Sequence, residues 1–266
     1  MEIQILSDLH LESPKAYDIF EIPPKAQYLA LLGDIGYVTA HKDEFSAFLA
    51  RQLKQFKAVL FVPGNHEAYQ STWDDTIETL QAFEQEARTD ASLGEFVLLD
   101  RNSYRPADTN VILIGCSLFS SIPPEKQMAV EMGINDFYQT VGWTTDNHND
   151  RHRRDVAWLN AEVAKLEKLD VRIIILSHWS PSQDPRTMDV KHSGSLITCG
   201  FSTDMSGEPC FQSDKVKVWA FGHTHYNCDL KFDRGTDVTP LRLVTNQRGY
   251  YFAQAEDFDL EKLVTI

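Results

Sequence analysis

The sequence predicts an α/β layered fold, and two alternating patterns lead to this prediction. Short apolar, β-branched runs recur along the chain, as is typical of buried strands. Between several of these runs lie segments whose apolar residues repeat with the helical period. Strands that alternate with amphipathic helices indicate helices packed on sheets. The chain has 266 residues, of which 42% are hydrophobic and 24% charged, so it is long enough and apolar enough to bury a sizeable core.

The predicted strands and helices follow one another along the chain. Strand-like runs lie at 3–6, 28–32, 58–62, 96–99, 111–114, 171–176 and 216–221. Three groups of residues form helical stripes: Phe45, Phe48, Leu49 and Phe56; Trp73, Ile77, Leu80 and Ala87; and Val156, Leu159, Val163 and Leu166. From about residue 230 to 266 the sequence predicts further strands, including 241–245 and 249–253, in a mixed sheet or in two stacked sheets.

Two long stretches, at about 119–150 and 182–213, lack a clear period. We expect them to be loops, and loops of this length in compact domains are usually functional lids or flexible insertions. No repeat, low-complexity tract or linker divides the sequence. We therefore predict a single domain over residues 1–266, with lid or substrate loops in these two stretches.

Charge and cysteine usage narrow the function classes. Lys and Arg number 25 and Asp and Glu 39, so the net charge of −14 disfavours broad binding to nucleic acid or to an anionic membrane surface. It does not exclude a small phosphorylated substrate, because bound divalent cations reverse the local charge. The four cysteines show no CxxC spacing, and we expect reduced thiols. The first residues lack the features of a signal peptide, so we expect a cytoplasmic protein.

Polar side chains come directly after five of the predicted strands. In chain order they are Asp8 and His10; Asp34; Asn65, His66 and Glu67; His178; and His223 with His225. Ligands bind outside the carboxyl ends of the strands in an open α/β sheet, so these clusters should form one site. Residues two apart in an extended chain project to the same side, so Asp8 with His10, and His223 with His225, can each face one ion.

The candidate ligands offer oxygen and imidazole nitrogen without thiolate. They are Asp8, His10, Asp34, Asn65, His178, His223 and His225, called the seven predicted ligands below. This donor set suits Mn, Fe, Zn or a similar divalent ion. Seven ligands exceed the needs of one ion, whereas two ions that share a bridging carboxylate would use them fully. Two-metal sites with ions about 3.5–4 Å apart are a known device for phosphoester hydrolysis, because they acidify a bound water and neutralise phosphoryl oxygens.

The motifs themselves resemble a known family. DLH at 8–10, GD at 33–34, GNHE at 64–67, SH at 177–178 and GHTH at 222–225 resemble, in order, the five signature blocks of calcineurin-like metallophosphoesterases. The resemblance implies a four-layer α/β/β/α sandwich of two mixed sheets flanked by helices. It also implies that Asp8, His10 and His225 hold one ion, that Asn65, His178 and His223 hold the other, and that Asp34 bridges them. His66 would be the general acid, with Glu67 orienting it.

The second block favours one branch of this family. It reads GDIGYV and lacks the GD-x-VDRG pattern typical of the Ser/Thr protein phosphatases, so we expect the small-molecule branch. The predicted reaction is hydrolysis of a phosphomonoester or phosphodiester P–O bond by a metal-bridging hydroxide. The alternative is a non-catalytic metal-binding scaffold with the same fold. Such a scaffold usually loses ligands or the histidine of GNHE, all of which this sequence retains.

Several residues outside the blocks allow two interpretations. The remaining histidines are predicted to be surface or loop residues: His41, His148, His152 and His192. His152 lies in the basic run 151–154, which either begins a solvated helix or contacts a substrate phosphate. Residues 135–138 and Trp143 are predicted to anchor the first long loop to the core rather than to stack on a nucleobase. Tyr69 either reaches the substrate or is buried with its hydroxyl satisfied.

Overall fold

Two mixed sheets stack face to face, and helices cover the outer face of each sheet. The structure is a computed structural model that describes residues 1–107, 109–192 and 194–266. Its strands are β1 (Glu2–Leu6), β2 (Tyr28–Leu31), β3 (Ala58–Phe61), β4 (Glu95–Leu98), β5 (Asn102–Tyr104), β6 (Val111–Gly115), β7 (Arg172–Leu176), β8 (Val216–Phe221), β9 (Asp229–Phe232), β10 (Leu241–Thr245), β11 (Gly249–Tyr250), β12 (Ala253–Gln254) and β13 (Leu263–Thr265). Its α-helices are α1 (Lys42–Leu53), α2 (Trp73–Thr89), α3 (Gln127–Gly133), α4 (Asp136–Gln139), α5 (Thr145–Leu166) and α6 (Pro209–Gln212). The predicted four-layer α/β/β/α sandwich is confirmed.

The strand order brings the carboxyl ends of the central strands to one edge of each sheet. The first sheet has the order β13-β1-β2-β3-β4, in which only β13 is antiparallel to its neighbour. The second sheet has the order β5-β6-β7-β8-β10-β9, with parallel central strands and antiparallel edge strands. The loops that follow β1, β2, β3, β7 and β8 therefore all begin at the carboxyl ends of central parallel strands.

Alternation along the strands divides the core into layers. Ile5 and Leu60 of the first sheet meet Ile174 and Val218 of the second in the central layer. Their neighbours point outward, so Leu31, Val59 and Phe61 contact α1 and α2 through residues such as Phe48 and Leu80. The opposite outer layer joins Ile173, Ile175 and Trp219 to Leu159 and Val163 of α5. The predicted helical stripes thus face the sheets, except that Phe56 lies beyond the end of α1.

The first long stretch is more helical than predicted. Residues 119–150 contain α3, α4 and the first turns of α5, whose N-cap Thr144 accepts a hydrogen bond from the N–H of Asn147. The prediction of a loop was wrong here because the buried face of α5 begins with His148, His152 and Asp155. Polar residues on a buried face hide the apolar period that identifies a helix.

Two of the predictions of surface histidines were wrong, because their side chains lie on this buried face of α5. His148 and His152 are buried rather than solvated, and His41 and His192 are not. The N–H of Ser120 donates to Nε2 of His148 at 3.0 Å, and Nδ1 of His152 lies 2.9 Å from the carbonyl oxygen of Leu118. Neither interpretation of His152 therefore applies, because its ring fixes the segment that comes after β6.

The remaining differences lie near the C-terminus and in the second long stretch. Residues 182–213 contain 3₁₀ turns and the short α6, while Ser193 within this stretch lies outside the described residues. The predicted strand 249–253 is instead a hairpin of β11 and β12 with a turn between them. Among the described residues, every helix is too short or too polar to cross a bilayer.

Candidate metal centre

All seven predicted ligands converge at the strand ends, as the sequence predicts. Each lies on a loop that leaves β1, β2, β3, β7 or β8, and six of them are buried, with His225 partly exposed. The backbone at these loops is unusual. Five of the seven have positive φ, namely Asp8 (54°), His10 (48°), Asp34 (53°), His223 (70°) and His225 (49°). Positive φ is uncommon for residues other than glycine and clusters at functional sites, where the surrounding structure holds the strain.

Two of the glycines between strands and ligands leave no room for a side chain. A Cβ on Gly64 would collide with Oδ1 of Asp34, and one on Gly222 would collide with Oγ of Ser7 and lie 2.7 Å from Oδ2 of Asp8. Glycine at these positions therefore lets two strand ends approach each other closely enough to share a site.

The first group of predicted ligands consists of Asp8, His10 and His225. Nε2 of His10 lies 3.0 Å from Nε2 of His225, which lies 3.3 Å from Oδ1 of Asp8. The Asp8 carboxylate is held in place by the N–H of His223, at 3.1 Å from each oxygen, and by the hydroxyl of Ser7. Three potential ligand atoms thus face one another within 4.8 Å.

The second group consists of Asn65, His178 and His223. Nε2 of His178 lies 3.0 Å from Oδ1 of Asn65 and 3.2 Å from Nδ1 of His223. Nδ1 of His178 donates to the carbonyl oxygen of Leu32 at 2.7 Å, which leaves the lone pair of Nε2 pointing into the group. This is the tautomer that a metal ligand needs.

Asp34 lies between the two groups. Its Oδ1 is 3.4 Å from Nε2 of His178, and its Oδ2 is 4.0 Å from Nε2 of His10. Burial favours the protonated form of Asp34, but the facing imidazoles of His178, His66 and His10 outweigh it and hold its pKa well below the usual range. One ionised carboxylate therefore presents one oxygen to each group, which is the arrangement of a bridging ligand.

The donor chemistry fits two cations. Nδ1–H of His10 points at the Glu12 carboxylate and Nδ1–H of His178 at a carbonyl, so both rings direct an Nε2 lone pair at the Asp34 carboxylate, whose oxygens are also acceptors. His223 is buried, and its Nε2 has no hydrogen-bond partner among the described residues. Buried acceptors that face each other are unfavourable unless a cation lies between them. The seven predicted ligands therefore fit a pair of divalent ions.

Glu12 is a site residue that the sequence reasoning missed. Its Oε1 lies 2.8 Å from Nδ1 of His66 and 3.2 Å from Nδ1 of His10. Burial opposes ionisation of Glu12, but its hydrogen bonds with these two rings lower its pKa to about 2. The spacing gives no signal for Glu12, because Asp8 and His10 have positive φ and the alternation of an extended strand does not apply there.

Glu67 does not orient His66, so that prediction was wrong. Its carboxylate points away from the ring and accepts backbone N–H groups from Gly64 (2.6 Å), Asp34 (2.9 Å) and Ile35 (2.8 Å). Glu67 lies in the 3₁₀ turn of the third block, and this turn directs successive side chains to different sides. It fixes the backbone that carries Asp34, whereas Glu12 orients His66.

His66 lies at the edge of the ligand groups, facing the cleft. Its Nε2 is 3.9 Å from Oδ2 of Asp34 and 3.3 Å from the hydroxyl of Tyr250, and its ring stacks on Tyr69 at 4.2 Å. Burial disfavours the charged ring, but the carboxylates of Asp34 and Glu12 outweigh this effect and raise the pKa of His66 to about 9.

Asp136 links the first long stretch to the centre. Its Oδ1 accepts hydrogen bonds from the hydroxyl of Tyr69 at 2.6 Å and from Nδ2 of Asn65 at 2.8 Å. The second bond turns Oδ1 of Asn65 toward His178. Of the two interpretations of Tyr69, the buried tyrosine with a satisfied hydroxyl is confirmed. Trp143 packs on Trp73 and Phe119, so its anchoring role is confirmed as well.

The ligand groups open into a cleft of about 850 Å³. Ile134–Asp136 of the first long stretch and Lys191, His192 and Phe201 of the second contribute to its walls, together with Tyr250 and 253–257. The basic run 151–154 lies outside the cleft lining, and Arg151 pairs with Asp74 at 2.9 Å. Both predicted substrate loops thus border the centre, while their action as lids stays a prediction.

Comparison with known proteins decides the family. A family model described as calcineurin-like phosphoesterase matches residues 1–227. The chain belongs to this family. It is accordingly a metal-dependent phosphoric ester hydrolase, and the family depends on two metal ions. The predicted family and enzyme class are confirmed, whereas the small-molecule branch stays a prediction.

Individual relatives of this phosphoesterase are distant. A protein of Acanthamoeba polyphaga mimivirus, described as uncharacterized, is 24% identical over 271 residues, which cover 93% of this chain and 91% of the viral protein. The solved phosphopantetheinyl hydrolase of Mycobacterium tuberculosis superimposes with a TM-score of 0.66 at 16% identity, covering 93% of this chain and 89% of that one. TT1561 of Thermus thermophilus gives 0.53 at 12% identity, with 98% and 90% covered. The two structures show that the fold is shared.

Proposed function

We propose that this hydrolase cleaves a P–O bond of a small phosphomonoester or phosphodiester at the centre described above. Asp8, His10 and His225 would hold one divalent ion, Asn65, His178 and His223 would hold the second, and Asp34 would be a ligand of both. The observation that carries the proposal is the position of Asp34, whose two oxygens face the two ligand groups at 3.4 and 4.0 Å. A carboxylate with two sets of imidazoles around it has more ligand capacity than one ion uses.

The chemistry divides between the ions and the chain. When bound, the two ions supply an acidified water as nucleophile and neutralise the phosphoryl oxygens. Glu12 accepts a hydrogen bond from Nδ1–H of His66 and so directs Nε2–H into the cleft. There His66 protonates the leaving oxygen as the P–O bond breaks, which is the work of a general acid. Buried walls such as Tyr69 limit the water around this proton.

The donor set also favours particular ions and substrates. Carboxylate, amide and imidazole ligands without thiolate suit Mn, Fe or Zn, and we propose one of these at each position. The four cysteines are free, and the clusters of potential metal ligands among the described residues contain none of them. A cleft of about 850 Å³ in a chain of net charge −14 fits a small phosphorylated molecule better than a nucleic acid.

Metal reconstitution tests the proposal. The protein is stripped with EDTA, Mn, Fe, Zn, Ni, Mg or Ca is added back singly, and hydrolysis of p-nitrophenyl phosphate and bis-p-nitrophenyl phosphate is followed, with Asp34→Asn as the control. We expect turnover to return with Mn, Fe or Zn and to be absent from Asp34→Asn. The ratio of monoester to diester turnover then directs the search for the natural substrate. Two bound ions without turnover of either ester would contradict the proposal and favour the scaffold.

A variant of His66 separates proton transfer from metal binding. His66→Gln should lose turnover of an alkyl phosphate, whose leaving alkoxide needs a proton, while it keeps both ions, because His66 is placed outside the two ligand groups. Tyr37→Phe is a suitable control, since its ring lies 6.2 Å from that of His66 without touching Glu12 or the predicted ligands. Loss of metal from His66→Gln would contradict its assignment as general acid.

A further inference from the structure

Tyr250 reaches the centre from a part of the chain that carries no signature block. Its hydroxyl lies 3.3 Å from Nε2 of His66, the nitrogen that faces the cleft. Its ring packs on His10 at 4.3 Å and on His225 at 4.8 Å between centroids. The side chain is nevertheless partly open, since 42% of the residue is exposed and it lines the cleft. Tyr250 thus covers one ligand group and presents a polar atom to the place where a substrate would enter.

The hairpin that carries Tyr250 is fastened to the signature loops themselves. The carbonyl oxygen of Gln247's side chain accepts the N–H of His225 at 2.5 Å, and its Nε2 donates to Oγ1 of Thr224 at 3.0 Å. The neighbouring Arg248 donates its N–H to the carbonyl of Ser7 at 3.0 Å and its side chain to the carbonyl of Leu9 at 3.0 Å. The loops that position Asp8, His10 and His225 therefore also position Tyr250.

The orientation of His66 determines what Tyr250 can do. Nδ1–H of His66 is engaged by Glu12, so Nε2 is the ring nitrogen left to meet a substrate, and the Tyr250 oxygen lies 3.3 Å from it. A substrate oxygen that takes the Nε2 proton must lie within hydrogen-bond distance of Nε2, and the Tyr250 hydroxyl is already within that distance of the same atom.

We propose that Tyr250 is a further catalytic residue, whose hydroxyl donates a hydrogen bond to the same leaving oxygen that His66 protonates. This inference rests on the proposed function. In the step, a bond forms between phosphorus and the oxygen of the attacking water while the bond to the leaving oxygen breaks. The leaving oxygen keeps that electron pair and receives the Nε2 proton of His66, and the proton released by the water restores His66 through solvent. Tyr250 keeps its proton throughout and stabilises the charge that develops on the leaving oxygen.

The test uses Tyr250→Phe in the full-length, metal-loaded protein, with Tyr251→Phe as the matched control. Phenylalanine keeps the ring that packs on His10 and His225 and removes only the hydroxyl. Tyr251 is the next residue of the same hairpin, is half-exposed and does not line the cleft. The first readout is kcat/KM for an alkyl phosphate, whose alkoxide must be protonated, and for p-nitrophenyl phosphate, whose phenolate leaves unprotonated. The second readout is the affinity for inorganic phosphate, measured by calorimetry.

We expect Tyr250→Phe to lower kcat/KM for the alkyl ester about tenfold or more, and to change it less than about threefold for the p-nitrophenyl ester. Phosphate affinity should fall about fivefold, as for the loss of one hydrogen bond. Tyr251→Phe should match the wild type in all three measurements, and both variants should unfold at the wild-type temperature.

Three outcomes would overturn the inference. Unchanged phosphate affinity in Tyr250→Phe shows that the hydroxyl does not contact an oxygen bound to phosphorus at the leaving position, whether or not the protein turns over esters. An equal loss for both esters places Tyr250 in substrate binding rather than at the leaving oxygen. An equal effect of Tyr251→Phe assigns the change to the hairpin. If the wild type hydrolyses neither ester but Tyr250→Phe weakens phosphate binding, the proposed function fails while the Tyr250 contact stands.

Discussion

Two clusters of buried histidines lie in this molecule, one at the strand ends and one on α5. At the strand ends, burial disfavours charge on His66, yet the carboxylates of Asp34 and Glu12 outweigh burial and raise its pKa to about 9. On α5, burial and, to a smaller extent, the neighbouring ring of His152 lower the pKa of His148 to about 3. Burial is therefore similar in the two clusters, and the partners differ.

This difference in partners separates a reactive histidine from a structural one in this fold. The carboxylates of Asp34 and Glu12 lie 2.8 to 4.0 Å from ring nitrogens at the strand ends, where they stabilise positive charge. His148 instead receives hydrogen bonds from the N–H and hydroxyl of Ser120 and remains neutral. Positive φ accompanies the first cluster and regular helix the second. Carboxylates and strained loops thus identify the chemistry, while burial alone does not.

The largest effect is expected where the strand-end cluster loses its central carboxylate. Asp34→Asn keeps the size of the side chain but removes the charge that faces both ligand groups, so turnover of p-nitrophenyl phosphate should fall at least about a thousandfold. If the variant kept a tenth of the wild-type kcat/KM, the strand-end cluster would not depend on this carboxylate, and the contrast with the α5 cluster would fail. His41→Gln, at a partly exposed position outside the cleft lining, is the control for histidine loss away from the ligands.

A smaller loss of activity is expected when the carboxylate that orients two rings becomes an amide. Glu12→Gln should lower kcat/KM about 10- to 100-fold, as for other residues that orient metal ligands. The reason is that an amide oxygen accepts the Nδ1–H of His66 and of His10 more weakly than a carboxylate. Steady-state kinetics with Mn-loaded protein measure the loss. Wild-type activity in this variant would show that the two rings need no carboxylate to hold them.

A contrasting result is expected at Glu67, which binds backbone rather than imidazole. Glu67→Gln should lower the free energy of unfolding by about 2 kcal/mol, because an amide can no longer accept N–H groups with both ends. Urea unfolding at pH 8 measures this loss of stability. Burial and Asp34 raise the pKa of Glu67 to about 7, so its carboxylate is ionised at pH 8. Unchanged stability together with lost activity would return Glu67 to the role of orienting His66.

The smallest effect concerns the α5 cluster and depends on pH. The folded pKa of His148 is depressed, so below about pH 6.5 the unfolded chain binds a proton that the folded chain does not. This contribution to stability is complete above pH 6.5 and is lost as the pH falls, by at most about 1.4 kcal/mol per pH unit. His148→Gln should therefore show a flatter decline in urea-unfolding free energy between pH 6.5 and 5 than the wild type. An identical decline in the two proteins would mean that His148 is charged when folded.

The sequence predicts this fold and the ligand set well because their signals are local. Apolar runs ended by Asp8, Asp34 and His178 identify both a strand and the ligand at its carboxyl end. Contacts between distant segments leave no such signal. Asp136 meets Asn65 across 71 positions, and Tyr250 meets His66 across 184. Their places depend on how the first long stretch and the hairpin fold back over the centre.

Other differences arise from residues that act against their usual preference. From the sequence, the helix face with His148 and His152 is predicted to be solvated, because buried histidine is uncommon. Only the tertiary partners Ser120 and Leu118 explain why the two rings are buried. Glu67 comes directly after His66, yet the 3₁₀ turn sends the two side chains apart. Glu12 follows two residues with positive φ, Asp8 and His10, so its place beside His66 depends on the fold of this loop and not on strand alternation.

The number of bound ions and the magnetic coupling between them test most directly whether Asp34 bridges two metal ions. Protein reconstituted with Mn²⁺ is measured by elemental analysis for its metal content and by electron paramagnetic resonance for coupling between ions. The account predicts two ions per chain with the spectrum of an exchange-coupled pair, and loss of that coupling in Asp34→Asn. A single ion per chain, or two ions without coupling in the wild type, would contradict a centre bridged by Asp34.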